Sequence, residues 1–466
     1  MNIVILAAGQ GKRMQSALPK VLHPVAGEPM LSHVLRTARE LAPQQVVVVI
    51  GHGADQLRAA YAQRDEARGV IFALQTPQRG TGHAVAQALP HLDEAVPTLV
   101  LYGDVPLVRS QSLVQLANVA RAAAQGDGDA VAVLSAELVD PSGYGRIVRD
   151  EHGAVHAIVE DKDADAQQRR IQEINTGILI APTRALRVWL ERLSDDNAQR
   201  EYYLTDIVAQ ARAAAVPVVA VKSDEPQEVM GVNSKVELGQ VERVAQARVA
   251  QRLMQAGAQL ADPARIDVRG ELTVGADVFI DVGNVFEGRV HLADGVHIGP
   301  NNVIRNCVLG ADTQVLGFCY LESAQIGARG RIGPYARTRP QVVLGDEVHL
   351  GNFVEVKNSQ LGDGAKANHL AYVGDARLGR RVNIGAGTIV ANYDGANKHP
   401  TVIEDDVHTG SNSVLVAPIT VGAGATIGAG STVTGEVEAG KLTVARAKQL
   451  AVPGWKRPVK HSKTTS

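Results

Sequence analysis

Hydrophobic positions follow two different rhythms along the chain. Over residues 1–235, short apolar runs alternate with stretches of helical spacing. The runs predict strands at Asn2–Leu6, Val46–Ile50, Val70–Leu74, Thr98–Leu101, Ala130–Leu134, Gly177–Ile180 and Val216–Val221. Val46–Ile50 and Thr98–Leu101 are apolar at nearly every position, as strands covered on both faces are. Helical spacing marks Pro29–Leu41, Gln111–Ala124 and Thr183–Leu193. Strand and helix in alternation predict a Rossmann-like α/β domain with a mainly parallel sheet. Residues 236–257, rich in Ala, Val and Arg, predict one linking helix.

From about residue 272 the period becomes six. Aliphatic residues recur at Leu292, Ile298 and Ile304; Leu309, Val315 and Leu321; Ile326 and Ile332; and Leu344, Leu350 and Val356. The pattern continues at Leu361, Ala367 and Val373, then at Leu378, Ile384 and Val390. Its longest run is Ile403, Thr409, Leu415, Val421, Ile427 and Val433. This period predicts a parallel β-helix of hexapeptide repeats within 258–466, because one coil cannot bury its apolar edge without a neighbour. Gly and Asn after the aliphatic residue are expected to supply the sharp corners. Asn392–Pro400 breaks the period and predicts an excursion, which in a solenoid falls on a loop. The tail from Pro453, with Lys456, Arg457, Lys460 and Lys463, reads as loose.

Composition narrows the class. Among 466 residues, 45% are hydrophobic, enough for more than one core. A net charge of -2 offers no basic field, which disfavours a nucleic-acid partner. Two cysteines, Cys307 and Cys319, form no disulfide framework and read as reduced thiols of a cytoplasmic protein. The opening MNIVILAAG reads as a strand rather than a signal peptide, and no apolar run reaches the ~18 residues of a membrane span.

Candidate chemistry in the first half gathers after strands. Leu6-Ala-Ala-Gly-Gln-Gly-Lys-Arg-Met14 is a Gly-containing turn whose backbone N–H groups can approach a phosphate. Lys12, Arg13 and Lys20 can neutralise a triphosphate. The spacing is neither a P-loop nor a dinucleotide fingerprint, since Met14 stands where a third Gly is needed. Gln75–His83 is a second loop after a strand. Thr98–Asp104 is an apolar strand ending in a carboxylate, where ligands of open α/β sheets gather. Asp104 is therefore the natural ligand for Mg²⁺.

In the second half, polar residues crowd 333–393. Among them His369 carries an imidazole, the side chain best suited to act as a general base near neutrality. His349 is the next histidine candidate, though its place within a repeat favours a surface role.

LAAGxGxRM with Lys20, QxxxxGTGHA and the YGD strand end resemble the sugar-nucleotide pyrophosphorylases. Gly143-Tyr-Gly-Arg-Ile147, Val159-Glu160, Ile174-Asn-Thr-Gly177, Glu201-Tyr-Tyr203 and Gly231-Val-Asn233 extend the likeness over nearly the whole chain. The nearest family is the bifunctional N-acetylglucosamine-1-phosphate uridyltransferase/glucosamine-1-phosphate acetyltransferases. The resemblance implies that the β-helix is left-handed. It implies that Leu6, Ala7, Ala8, Gly9, Gln75, Gly80 and Thr81 hold the uridine nucleotide, with Arg13 and Lys20 on its phosphates and Tyr102 and Gly103 within the nucleotide and sugar site. Gly145, Glu160 and Asn175 would bind N-acetylglucosamine, and Asp104 and Asn233 would hold Mg²⁺. His369 would be the general base, oriented by Glu355. Arg339, Lys357, Tyr372 and Asn383 would bind glucosamine-1-phosphate. Ala386, Asn392, Tyr393, Ser411, Ala429 and Arg446 would meet acetyl-CoA. It further implies a homotrimer, with the acyl site between adjacent β-helices and the excursion reaching a neighbouring chain, and a supply of precursors for peptidoglycan and lipopolysaccharide. Asn368 stands where the family often has Gly, and its side chain is expected to alter the backbone beside the base. The competing readings are a pyrophosphorylase for another sugar phosphate with a regulatory β-helix, and a β-helix that only trimerises the chain.

Overall fold

The structure is a computed structural model and describes residues 1–124 and 128–460. Two compact units divide the chain, Met1–Val249 and Ala250–Ser466. In the first, strands lie in the order Val218–Lys222, Val131–Glu137, Glu173–Pro182, Pro97–Tyr102, Asn2–Ala7, Gln45–Ile50, Ile71–Leu74. Asn2–Ala7 runs parallel to both neighbours, while Glu173–Pro182 runs antiparallel to both of its own.

Alternate residues of the central strand enter different cores. Ile3, Ile5 and Ala7 pack with helices Met30–Glu40 and Ser110–Ala123. Val4, Leu6 and Ala8 pack with helices Thr81–Ala88, Thr183–Glu191 and Ile207–Ala213. This is why the strand reads as an unbroken apolar run. A hairpin of Gly145–Arg149 and Val155–Val159 joins the start of Glu173–Pro182 and was not among the predicted strands.

The linking helix runs Lys235–Gln255. Its Val241 and Ala245 are buried with Met14, Val25, Met30 and Leu107. Glu242 accepts from the Ala26 amide at 2.7 Å, and Arg248 donates to the Leu107 carbonyl at 2.7 Å. The first unit therefore needs residues beyond the 235 boundary expected from the sequence. A fragment 1–235 is expected to melt roughly 10 °C below a fragment 1–249, the shift that several kcal/mol produces in a domain of this size. Of this, burial of Val241 alone supplies about 1.5–3 kcal/mol. Equal melting temperatures by circular dichroism would contradict this account of the helix.

The second unit is a left-handed parallel β-helix. Its strands begin at Gln259–Leu260, earlier than the six-residue period becomes visible. The next coils carry nine-residue strands, Ile266–Val274 and Asn284–Leu292, paired along their whole length. All the aliphatic positions read from the sequence period are buried. Three hexads make a coil, so partners on neighbouring coils mostly lie 17 or 18 residues apart, rising to 25 across the excursion.

The expected role of glycine at the corners needs correction. Many left-handed corners carry other residues, such as Asn301, Asp312 and Arg381, and the stacked rings of Phe318, Tyr335 and Phe353. The glycine after the aliphatic residue answers a different need, the close approach of stacked coils. A Cβ on Gly351 would stand 1.9 Å from the Asn368 carbonyl oxygen, and one on Gly327 2.5 Å from the Gly345 carbonyl carbon.

Cys307 and Cys319 are free and buried, and burial pushes both thiols up to about 11. No helix among the described residues is long and apolar enough to cross a membrane. The part of the tail at 461–466, with Lys463, lies outside the described residues.

Candidate active sites

At the carboxyl end of the central strands, Leu6, Ala7 and Ala8 are buried, and Gly9 and Arg13 are exposed. The Gly103 amide donates to the Leu6 carbonyl at 2.9 Å, tying the YGD strand end to the first loop. A Cβ on Gly103 would lie 3.2 Å from Val21 and 3.3 Å from Ala7, so the two segments run close together. Gln75 is buried and donates to the Gly80 carbonyl at 3.0 Å, which closes the second loop on itself. That loop is braced by the Glu201-Tyr-Tyr203 segment. The Tyr202 amide donates to the Arg79 carbonyl and the Gly82 amide to the Tyr202 carbonyl, each at 2.8 Å. Thr81 Oγ1 accepts from the Leu204 amide at 3.0 Å.

Asp104 and Asn233 converge on one cationic group. Lys20 Nζ forms an ion pair with Asp104 and donates to Asn233 Oδ1 at 2.8 Å. The Val232 amide donates to the Asp104 carbonyl at 2.9 Å, fastening the two segments. Ser234 and Glu237 form a capping box at the start of the linking helix. Glu237 Oε2 accepts from the amides of Asn233 and Ser234, at 2.6 and 2.7 Å, which fixes the backbone of Asn233. One carboxylate and one amide oxygen suit a hard cation that keeps water and phosphate as its other ligands. The Lys20 ammonium, drawn to both oxygens, is a stand-in that shows the donor set fits.

Gly145, Glu160 and Asn175 meet beside this point. Gly145 pairs with Asn175 across the sheet, and a Cβ on Gly145 would lie 3.4 Å from Glu160 Oε2. Burial raises the Glu160 pKa, and Asp206, Asp163 and Asp161 add to the rise against the Thr205 hydroxyl, which donates at 3.1 Å. Burial also pushes up the Tyr102 phenol, so it stays a neutral group. A bulge in Glu173–Pro182 brings Gly177 against that ring, where a Cβ would stand 2.5 Å from Tyr102 Cε2.

In the second unit, one corner column unites most of the acyl candidates. Asn352, His369, Ala386, Ser411 and Ala429 each precede a left-handed corner residue on successive coils: Phe353, Leu370, Gly387, Asn412 and Gly430. The carbonyls of Asn352, His369, Ala386 and Ser411 each accept from the corner amide of the next coil, at 2.7–3.2 Å. Arg446 donates to the Ala429 carbonyl at 2.5 Å, continuing the column.

His369 Nδ1 lies 2.8 Å from Asn352 Oδ1. The amide oxygen can only accept, so Nδ1 is the donor, and in the neutral ring Nε2 carries the lone pair. Within the chain, Glu355 faces Arg337 and Arg339, at 3.4 and 3.3 Å. Asn352 was missed in the sequence, although the coil period counted back from His369 lands on it. Asn368 does not adopt a left-handed backbone, so its side chain meets no left-handed penalty beside the base.

The cationic candidates arise from a broken charge ladder. Arg269, Glu287, Arg305 and Glu322 alternate in sign along one column, and the ion pairs to Arg305 and Arg269 hold the Glu287 carboxyl below its usual range. The next positions in that column are Arg339 and Lys357, both positive. Lys398, from the excursion and missed in the sequence, faces Lys357 and lowers its pKa. Asn392 contacts Asp375 and lies 3.5 Å from the Tyr372 hydroxyl. Tyr393, in the excursion, is exposed and pairs with Lys398. Asn383 sits on the neighbouring sheet, two coils from His349, which is paired in a repeat with its pKa lowered by burial.

A nucleotide-type loop set on an α/β sheet, joined to a hexapeptide β-helix, defines a two-part transferase. Residues 3–174 match the MobA-like NTP transferase domain, and residues 400–435 match the bacterial transferase hexapeptide of six repeats. The chain is 61% identical over 463 residues to the bifunctional protein GlmU of Cupriavidus pinatubonensis, covering 99% of this chain and 100% of the relative. It is 58% identical to that of Aromatoleum aromaticum over 460 residues, 99% of each, and 56% identical to that of Ralstonia pickettii over 463 residues, 99% of this chain and 100% of the relative. The chain belongs to the family of bifunctional GlmU proteins. It is an enzyme with a nucleotidyltransferase part and an acetyltransferase part.

Proposed function

We propose that the second unit acetylates glucosamine-1-phosphate from acetyl-CoA, and that the first couples the product to UTP, giving UDP-N-acetylglucosamine and pyrophosphate. The observation that carries this reading is the column that puts His369 in line with Ala386, Ser411 and Ala429, on a β-helix that also carries the positive break at Arg339 and Lys357. A base, a track for a long acyl carrier and a phosphate site are what amine acetylation of a sugar phosphate requires.

In the acetyl site, Arg339, Lys357, Tyr372 and Asn383 hold the sugar phosphate, with Lys398 adding charge. His369 Nε2 takes a proton from the amine as it attacks the thioester carbonyl, and CoA leaves through its sulfur. Asn352 keeps the imidazole in the tautomer that can do this. Asn392, Tyr393 and Arg446 meet the CoA.

In the uridylyl site, a phosphate oxygen of N-acetylglucosamine-1-phosphate attacks the α-phosphorus of UTP, and pyrophosphate leaves. Leu6, Ala7, Ala8, Gly9, Gln75, Gly80, Thr81, Tyr102 and Gly103 hold the nucleotide, while Gly145, Glu160 and Asn175 hold the sugar. Arg13 and Lys20 neutralise the phosphates, so positioning and charge carry the catalysis. Asp104 and Asn233 would hold Mg²⁺, which when bound supplies further charge neutralisation on the phosphates. The protein acts as a cytoplasmic homotrimer that supplies cell-wall precursors. Release of free CoA from acetyl-CoA only when glucosamine-1-phosphate is present supports the reading. No release would favour a single-activity pyrophosphorylase with a structural β-helix.

A further inference from the structure

Asp104 and Asn233 meet a cation that belongs to the chain itself. Lys20 reaches both oxygens at once, and the side chains of Lys20 and Asp104 are only 12% and 18% exposed. The two oxygen donors sit on fastened backbone. Asp104 ends a strand and its carbonyl is bonded to Val232, while Asn233 is held by the box from Glu237. Lys20 is the mobile member, a four-carbon stem ending in a compact charge. Its stem also lies against the phosphate loop, because a Cβ on Gly11 would stand 2.9 Å from Lys20 Cβ. Rotation of the outer carbons alone can therefore carry the ammonium from the Asp104–Asn233 pair towards the loop.

A divalent cation and an ammonium compete for these two oxygens, since two positive charges held on them repel each other. We propose that Lys20 is the resting occupant of the cation site. Metal arriving alone must evict it, whereas nucleotide phosphates at the loop give the ammonium a second anionic partner and free the site. Metal and nucleotide then bind with positive coupling, each aiding the other by the same factor. This inference rests on the reading of Asp104 and Asn233 as the metal donors.

The test uses the full chain and Mn²⁺ alone, with free Mn²⁺ followed by electron paramagnetic resonance and no nucleotide present. If the open form is about a tenth of the population or less, removing the occupant tightens apparent binding by about tenfold or more. Lys20→Met and Lys20→Gln are both expected to show this gain, and Lys20→Arg, which keeps a cation, is not. Lys20→Met leaves Asp104 without its partner. Its melting temperature is therefore expected to fall without metal and to recover on adding Mn²⁺. In the wild type, a non-hydrolysable UTP analogue tightens Mn²⁺ binding more than it does in Lys20→Met. Unchanged or weaker Mn²⁺ binding in both neutral variants would overturn the inference while leaving the donor pair standing, provided Asp104→Ala loses Mn²⁺. Mn²⁺ binding indifferent to Asp104→Ala would overturn the donor assignment and the inference with it.

Discussion

Asp104→Ala is expected to lower uridylyl transfer by about 10³-fold, the scale of losing a main electrostatic contact to the reacting phosphates. Acetyl transfer by the same variant should change little. Asp104 lies in the first unit, and the His369 column lies wholly in the second. The variant also frees Lys20 from its ion pair, so its loss of activity will not be rescued by excess Mg²⁺ alone. Parallel assays for pyrophosphate and free CoA check the prediction. Equal loss of both activities in a folded variant would contradict two independent sites.

His369→Ala gives the mirror result. General-base catalysis contributes on the order of 10²–10⁴-fold, and acetyl-transfer turnover should fall by that factor. CoA affinity should hold, because Ala386, Ser411 and Ala429 lie on later coils whose backbone bonding is untouched by the imidazole. Uridylyl transfer should persist. A near-normal acetyl-transfer rate would place the base elsewhere, with His349 the next candidate.

The β-helix was legible because its signal repeats. Each buried aliphatic position is one of many at the same period, and stacking makes every one of them count. The first coils escaped notice because long strands such as Ile266–Val274 place exposed Arg269 and Glu271 amid the apolar positions and mask the hexads. In the α/β unit, strands buried on both faces stood out, but short helices did not. Ala54–Tyr61 buries only Leu57 and Tyr61, too few to show a period. Thr81–Ala88 buries mainly small residues.

The candidate sites divide in the same way. Asp104 was visible because a strand of continuous apolar residues ends on it. Asn233 carries no such mark, and its tie to Asp104 and Lys20 exists only once the linking helix docks on the first unit. The Asn352–His369 pair spans 17 residues and appears only when the coil is closed. Glu355 was assigned to the histidine by family likeness. Within the chain its column supplies Arg337 beside it, with Arg339 two positions further along.

The central claim is that one chain performs two successive transfers on one sugar phosphate. Its most direct test incubates the purified chain with glucosamine-1-phosphate, acetyl-CoA, UTP and Mg²⁺ and follows products by mass spectrometry. The account predicts that UDP-N-acetylglucosamine forms, with one CoA and one pyrophosphate released for each molecule made. Its formation from N-acetylglucosamine-1-phosphate but never from glucosamine-1-phosphate, with no CoA released, would contradict it.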